Sequence, residues 1–248
     1  MTSRQEKIVE ILRTRESATV AELSGLFDLT ETSIRLDLGD LEAAGLIRRF
    51  HGGARIVPSA SLETRLRRRR SEKTAIARKA LTHVHAGETL YLDSGSTVLL
   101  LATELTQAED LTIVTNSIPV LTYLGREMDK KVIVVGGEFS HDDQCCFGQM
   151  TERELADIYV SKVFMGADSV DVGSGFVFSH PRNLTYIARI IRNARQTVLL
   201  VDSGKFSQIR GMRIVGLSDI SVIISDGGLP EDMREKIRQR GVGLEIAE

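Results

Sequence analysis

Thr19-Val20-Ala21-Glu22-Leu23-Ser24, Leu29-Thr30-Glu31-Thr32-Ser33-Ile34-Arg35-Leu36-Asp37-Leu38 and Arg48-Arg49-Phe50-His51-Gly52-Gly53-Ala54 decide how the N-terminal part of this 248-residue chain is read. Thr19 and Glu22 have the spacing of a capping box, in which hydroxyl and carboxylate each satisfy an orphan backbone donor at a helix start. Thr30 is placed to cap a second helix, with Glu31 in its first turn, where the helix dipole favours negative charge. Asp28-Leu29 leaves a short turn between the two. Ile8, Ile11 and Leu12, then Val20, Leu23, Leu26 and Phe27, then Ile34, Leu38 and Leu41 recur at helical spacing. That period predicts three short amphipathic helices closing one small core. The Arg48 to Ala54 stretch reads as a basic, glycine-tipped ribbon, so residues 1–57 predict an all-α, winged helix-turn-helix domain.

With Ile34, Leu38 and Leu41 turned inward, the outward face of the second of these helices carries Thr32, Ser33, Arg35, Leu36 and Gly39. A helix in this setting enters the major groove of double-stranded DNA with its N-terminal residues at base edges. The candidate contacts are therefore Thr30, Thr32, Ser33, Arg35 and Leu36 on the helix, and Arg48, Arg49, His51 and Gly52 at the ribbon. Two competing readings stand beside these: Arg35 bridging Glu31 or Asp37, and His51 packing within the ribbon. Charge distribution favours DNA although the formal net charge is only −2, because residues 46–70 hold eight arginines against the single acid Glu63. Such a stripe is the footprint that a phosphate backbone requires. Arg67, Arg68 and Arg69 extend it as further phosphate candidates, with a solvated helical face as the alternative. Pro58-Ser59-Ala60-Ser61 interrupts the pattern, and residues 58–72 read as a basic linker before a second domain at 73–248.

Hydrophobic residues make up 42% of the chain and charged residues 27%, ordinary for a soluble globular protein. No apolar run approaches the roughly 20 residues that cross a membrane, and no signal segment is evident, so no membrane partner and a cytoplasmic location are expected. The two cysteines are neighbours, Cys145-Cys146, and a bond between them would be strained, which fits a reducing compartment. No ligand spacing for a metal and no cofactor motif appears.

From residue 73 onward helical stretches alternate with short apolar runs at 89–92, 111–114, 131–135, 162–165, 197–201 and 221–224. This alternation predicts an α/β domain with a largely parallel sheet covered on both faces. Ligands bind such sheets at the carboxyl ends of the strands. There Leu92-Asp93-Ser94-Gly95-Ser96-Thr97 runs from strand to Gly/Ser loop to helix, converging backbone N–H groups and hydroxyls on the positive end of a helix dipole, an anion site. Thr115-Asn116-Ser117 repeats the design after the next strand, and Gly136-Gly137 permits close backbone approach. Asp168 and Lys205 add a carboxylate and an ammonium, although Lys205 bridging a nearby acid is the structural alternative.

The N-terminal pattern, with Leu23-Ser24, Phe27, Ser33-Ile34-Arg35, Asp37-Leu38, Leu41-Glu42, Gly45 and His51-Gly52-Gly53-Ala54, resembles the DeoR family of bacterial transcriptional regulators. Arg65, Lys73, Ile76 and Ala77 fall at the spacings seen where such proteins pass into their effector domain. The loops of the second domain resemble the DeoR sugar-phosphate sensor, which is similar in fold to ribose-5-phosphate isomerase and CoA transferases. The resemblance implies a phosphorylated sugar or polyol effector, with phosphate on Ser94, Gly95, Ser96 and Thr97 and further contacts from Asn116, Asp168 and Lys205. Two segments depart from the family. Leu36 stands where a basic residue is common, so the operator preference is this chain's own. Residues 176–188 lack the usual threonine-rich turn and lysine-bearing helix, leaving His180 and Arg182 as substitutes or as part of an ordinary loop.

These readings imply a homodimeric or homotetrameric repressor of a carbohydrate-utilisation operon, released from its DNA operator by a sugar phosphate. An effector that activates rather than releases uses the same parts. A sugar-phosphate isomerase carrying a DNA-binding domain is the enzymatic alternative, and an architectural DNA-binding protein with an empty sensor is a third. Enediol chemistry needs a carboxylate base beside a lysine, yet after Asp168 the next lysine is Lys205. Binding without turnover, with no catalytic residue, is the expectation.

Overall fold

The computed structural model describes residues 2–43, 46–56, 61–105, 110–127, 131–179, 184–207 and 211–248. The chain divides into two compact units, Met1–Ser59 with Ile209–Met212, and Ala60–Gln208 with Arg213–Glu248.

The first unit holds α1 (Ser3–Arg15), β1 (Ser17–Thr19), α2 (Val20–Phe27), α3 (Glu31–Ala43), β2 (Ile47–Phe50) and β3 (Gly53–Ile56). Its three strands form a sheet in the order β1-β3-β2, with β1 a short addition that the helical reading passed over. The capping box forms as the spacing predicts: Thr19 N–H donates to Glu22 at 2.7 Å and Glu22 N–H to Thr19 Oγ1 at 3.2 Å. The Thr19 backbone and hydroxyl bonds hold the Glu22 carboxyl below its ordinary value. Ile8, Leu12, Val20, Leu23, Ile34, Leu38 and Leu41 are buried together, joined by Ile47 and Ala54 from the ribbon. Leu26 departs from expectation at 53% exposed. It lies on the rim of α2, where Val20, Leu23 and Phe27 already fill the side that meets the core. Beneath α3, buried Asp37 accepts both Arg4 Nε at 2.6 Å and Arg4 Nη2 at 3.0 Å, and Gln5 Nε2 at 3.2 Å, tying α1 to α3. At the ribbon tip a Cβ on Gly53 would stand 2.6 Å from both the Ala18 carbonyl and the Phe50 ring, so only glycine fits.

The second unit opens with α4 (Leu62–Arg67) and α5 (Arg70–Ala80), where the sequence suggested a linker as far as residue 72. Strands and helices then alternate through β4 (Thr89–Leu92), α6 (Ser96–Glu104), β5 (Thr112–Thr115), α7 (Ile118–Glu127) and β6 (Lys131–Val134). A hairpin of β7 (Glu138–Ser140) and β8 (Cys145–Phe147) leads through α8 (Gln149–Leu155) to β9 (Val160–Met165). β10 (Ser169–Asp171) and β11 (Phe176–Ser179) precede α9 (Leu184–Arg192) and β12 (Ala194–Leu200). β13 (Met212–Gly216), β14 (Val222–Asp226), α10 (Glu231–Gln239) and β15 (Gly243–Ala247) complete the unit.

Seven strands form one sheet in the order β15-β14-β12-β9-β4-β5-β6, and every neighbouring pair is parallel. The six apolar runs of the sequence supply six of these strands. β15 was not foreseen, because glycine and Glu245 dilute its apolar signal. The central strands feed two cores. Tyr91, Val163, Leu199 and Ile223 pack with Tyr186, Ile187 and Ile190 of α9 on one face. Leu90, Leu92, Phe164 and Val198 pack with Ile76, Ala77, Val98 and Leu101 of α5 and α6 on the other. Sheet order runs outward both ways from the β4–β9 pair, with β5 and β6 on one side and β12, β14 and β15 on the other. Such a switch point opens a crevice outside the strands' carboxyl ends. Loop 93–97 after β4 and Asp168 after β9 both stand at that place.

Candidate nucleic-acid interface and strand-end site

α3 leaves Thr32, Arg35 and Leu36 exposed, with Ser33 and Gly39 half-buried. Thr30 caps the helix as expected, its Oγ1 accepting Ser33 N–H at 3.3 Å. Arg35 Nη2 lies 2.7 Å from Glu31 Oε2, both side chains at least half exposed. That ion pair is the competing reading of Arg35, although an exposed i,i+4 pair is worth only about 0.3–0.5 kcal/mol. Between α3 and the ribbon runs an open groove of about 470 Å³, lined by Arg35, Leu38, Arg49, Phe50, His51 and Gly52 among others. Arg49 is anchored there by its backbone N–H on Glu42 at 2.8 Å and its Nε 3.4 Å from the same carboxylate. Gly52 turns the tip at φ +84°. Strand register places Arg48 directly opposite Arg55. Sequence reasoning did not name Arg55 as a contact, and only the register reveals the paired cations.

The run Arg67-Arg68-Arg69-Arg70 is not uniformly open. Arg67 reaches back to Glu63 at 2.5 Å. Arg69 is committed to its own unit: Nη2 donates to Ser203 Oγ at 2.8 Å and to Asp226 at 3.2 Å, and Nε to Glu72 at 3.1 Å. Three acids, counting Asp202 at 3.5 Å, already surround this phosphate candidate. Arg68 and Arg70 remain exposed.

At the strand ends, Gly95 begins α6 with φ +144° and no side chain caps the first turn. Ser94, Ser96 and Thr97 surround amides that a bound anion can meet. Asp93 beneath them is 2% exposed and accepts the Tyr186 hydroxyl at 3.3 Å. Burial pushes its carboxyl up to about 7, against the Ser94 N–H and Tyr186 bonds that favour the charged form. Burial also raises Asp168, while Lys205 and Arg65 pull it back. Arg65 Nη1 pairs with Asp143 at 2.8 Å, and its buried Nε has no partner. Lys73 donates to the Arg65 carbonyl, and burial lowers its ammonium to about 8. Lys205 makes no ion pair among the described residues. Three cations thus gather round three acids beside an uncapped helix start, an arrangement that suits an anion carrying hydroxyl groups.

Several of the expected contact residues also make internal bonds. Thr115 Oγ1 donates to Leu92 O at 2.7 Å and accepts Ser117 N–H at 3.0 Å. Asn116, fully buried, donates to Cys146 O at 2.8 Å and so stitches β8 to the sheet, while its Oδ1 has no partner among the described residues. Gly136 N–H is held by Glu154 at 2.9 Å, and Gly137, at φ +147°, would clash through a Cβ with Thr151 and the Phe147 carbonyl. The close approach foreseen for these glycines is to the chain itself. Cys145 and Cys146 are free thiols, and burial pushes Cys145, which shares a hydrogen bond with Ser94, up to about 12. His180 and Arg182 lie outside the described residues, as do Gly45 and residues 57–60. Arg65, Asp143 and Tyr186 were missed as site residues. Their convergence is tertiary, from α4, the β7–β8 turn and α9, and only the spacing of Arg65 hinted at it.

A helix-turn-helix with a wing, joined to an α/β unit built on a parallel sheet, is the architecture of a ligand-responsive transcriptional regulator. Residues 4–60 match the DeoR-like helix-turn-helix domain and residues 68–227 the DeoR C-terminal sensor domain; the chain belongs to the DeoR family. It is 35% identical to the HTH-type transcriptional regulator YulB of Bacillus subtilis (strain 168), over 91% of this chain and 89% of that protein. It is 31% identical to the transcriptional repressor AccR of Agrobacterium fabrum, over 96% of each chain. It is 30% identical to the glycerol-3-phosphate regulon repressor of Escherichia coli (strain K12), over 99% of this chain and 98% of that one. Among solved structures, a D-ribose-5-phosphate isomerase in complex with phospho-erythronic acid aligns at TM-score 0.42 and 19% identity, covering 55% of this chain and 54% of that one.

Proposed function

We propose that this protein represses a carbohydrate-utilisation operon as a homodimer or homotetramer and leaves its operator when a phosphorylated sugar or polyol binds at the β4–β9 crevice. The observation that carries this reading is the uncapped start of α6 beside Asp93, Asp168, Arg65 and Lys205. Phosphate suits the amides of residues 94–97, and acids ringed by cations suit sugar hydroxyls. The names of AccR and of the glycerol-3-phosphate regulon repressor support repression. One winged unit buries too little surface for specific affinity, which supports an oligomer on paired half-sites. The effector acts only as far as it prefers the released arrangement. Binding rather than turnover is supported by the relatives, which are named as transcriptional regulators; Lys205 does act on Asp168, so conversion is followed directly in the test.

The test is an operator selected from random duplexes, followed by anisotropy titration against a panel of sugar and polyol phosphates, with product formation followed in parallel. One compound is expected to weaken operator binding at least tenfold without being converted. No response to any phosphate, or steady conversion of one, overturns the reading.

A further inference from the structure

We propose that Leu36 reads the 5-methyl group of a thymine in each operator half-site. The inference deepens the DNA-reading role and rests on α3 being the helix that meets the bases. Leu36 is 69% exposed, and among the described residues no other Leu, Ile, Val or Met is as exposed. It is not a stray part of the core pattern, because Ile34, Leu38 and Leu41 occupy the opposite side of α3 and are at most 1% exposed.

Leu36 is an apolar position flanked by small side chains along the helix, with the charged Arg35 and Asp40 also exposed nearby. Thr32 lies one turn before it. Gly39 lies almost one turn after, and a Cβ there would find only Arg49 within 4 Å, at 3.6 Å. The adjacent Arg35 is drawn aside to Glu31, and Asp37 faces inward to Arg4.

In the major groove a G·C pair offers only polar groups, whereas thymine alone presents a methyl beside its O4 acceptor. Leucine against a G·C edge desolvates donors and acceptors with nothing in return. Leucine against a thymine methyl buries two apolar groups in contact, an effect of roughly four-fold in affinity for one methyl. This chain therefore prefers thymine at the position facing Leu36.

The experiment uses the full-length protein and a duplex enriched from a random pool. Each thymine is replaced in turn by deoxyuridine, which keeps every hydrogen bond and removes only the methyl. At one thymine per half-site wild-type affinity is expected to fall roughly four-fold, while Leu36→Ala binds the thymine and deoxyuridine duplexes alike. The melting temperature of Leu36→Ala should match wild type, since the side chain touches no core residue. Losses below about two-fold at every thymine overturn the proposal. So does a methyl effect that persists undiminished in Leu36→Ala, which assigns it to another side chain such as Thr32. A pool that yields no enriched sequence overturns the role of α3 itself, a separate result.

Discussion

Asp37 in the winged unit and Asp93 in the sheet unit are almost equally buried, 4% and 2% exposed, yet the two units treat them in opposite ways. Asp37 meets a guanidinium edge-on and an amide, so its charge is compensated within the fold. Asp93 meets a tyrosine hydroxyl and one backbone N–H, and its nearest cation, Arg65, is already paired with Asp143. The first is scaffold, which holds α3 at a fixed angle to α1 so that exposed residues can read DNA. The second belongs to a site whose electrostatics are left for a proton or a ligand to complete. The difference separates a rigid reading head from a responsive sensor.

The largest expected effect exploits Asp93. Its folded carboxyl titrates near 7 against an ordinary value of 3.8, so the folded state prefers the neutral acid. That contribution is full below about pH 4 and is lost as pH rises through about 7. Asp93→Asn should therefore be more stable than wild type at pH 8, by as much as about 4 kcal/mol, with the gain vanishing below pH 4. Urea melts across pH 4–9 measure it, and a variant no more stable than wild type at pH 8 breaks the contrast. Asp37→Ala should go the other way near pH 7. It strips the Arg4 guanidinium of its carboxylate and leaves the Gln5 amide with Asp40 alone, a loss of about 2 kcal/mol seen as an earlier urea midpoint.

A smaller change sharpens the sensor side. Arg65→Gln leaves Asp143 without its cation, costs about 1.5 kcal/mol, and lets Asp168 titrate higher than in wild type. Carboxyl carbon shifts against pH would show the movement, and an unmoved Asp168 would separate Arg65 from the crevice. The smallest effect concerns the ribbon. Arg55→Glu replaces two like charges across the strands with an opposite pair, adding about 0.5 kcal/mol to stability. The same variant should weaken DNA binding equally for all sequences and lower its salt dependence, as the loss of a phosphate contact does.

The reading head was legible in the sequence because its logic is local. Capping pairs, helical spacing and a glycine-tipped ribbon lie within a few residues of one another, and Thr19 with Glu22 formed the pair their spacing predicted. The parallel sheet was legible for the same reason in six of its strands, since each is an apolar run. The crevice was legible only at 93–97, where strand, loop and helix start are contiguous. Thr115, Asn116 and the glycines at 136 and 137 look alike in sequence whether they face a ligand or their own chain. Their hydrogen bonds to Leu92, Cys146 and Glu154 arise from segments that come together only in the fold. Arg65 was read as part of a basic linker because nothing local to it announces Asp143.

The left-handed turn at Arg69, φ +50°, joins α4 to α5 while its guanidinium sits among Asp202, Ser203 and Asp226. Leu62 N–H, at the start of α4, is likewise bonded to Asp142 O at 2.9 Å. These attachments set the rule for dissecting the molecule. A fragment beginning at residue 73 would strip the cations from Asp143, Asp202 and Asp226 together and should be recovered as insoluble chain. One beginning at residue 61 keeps the whole set and should be the shortest sensor that stands alone.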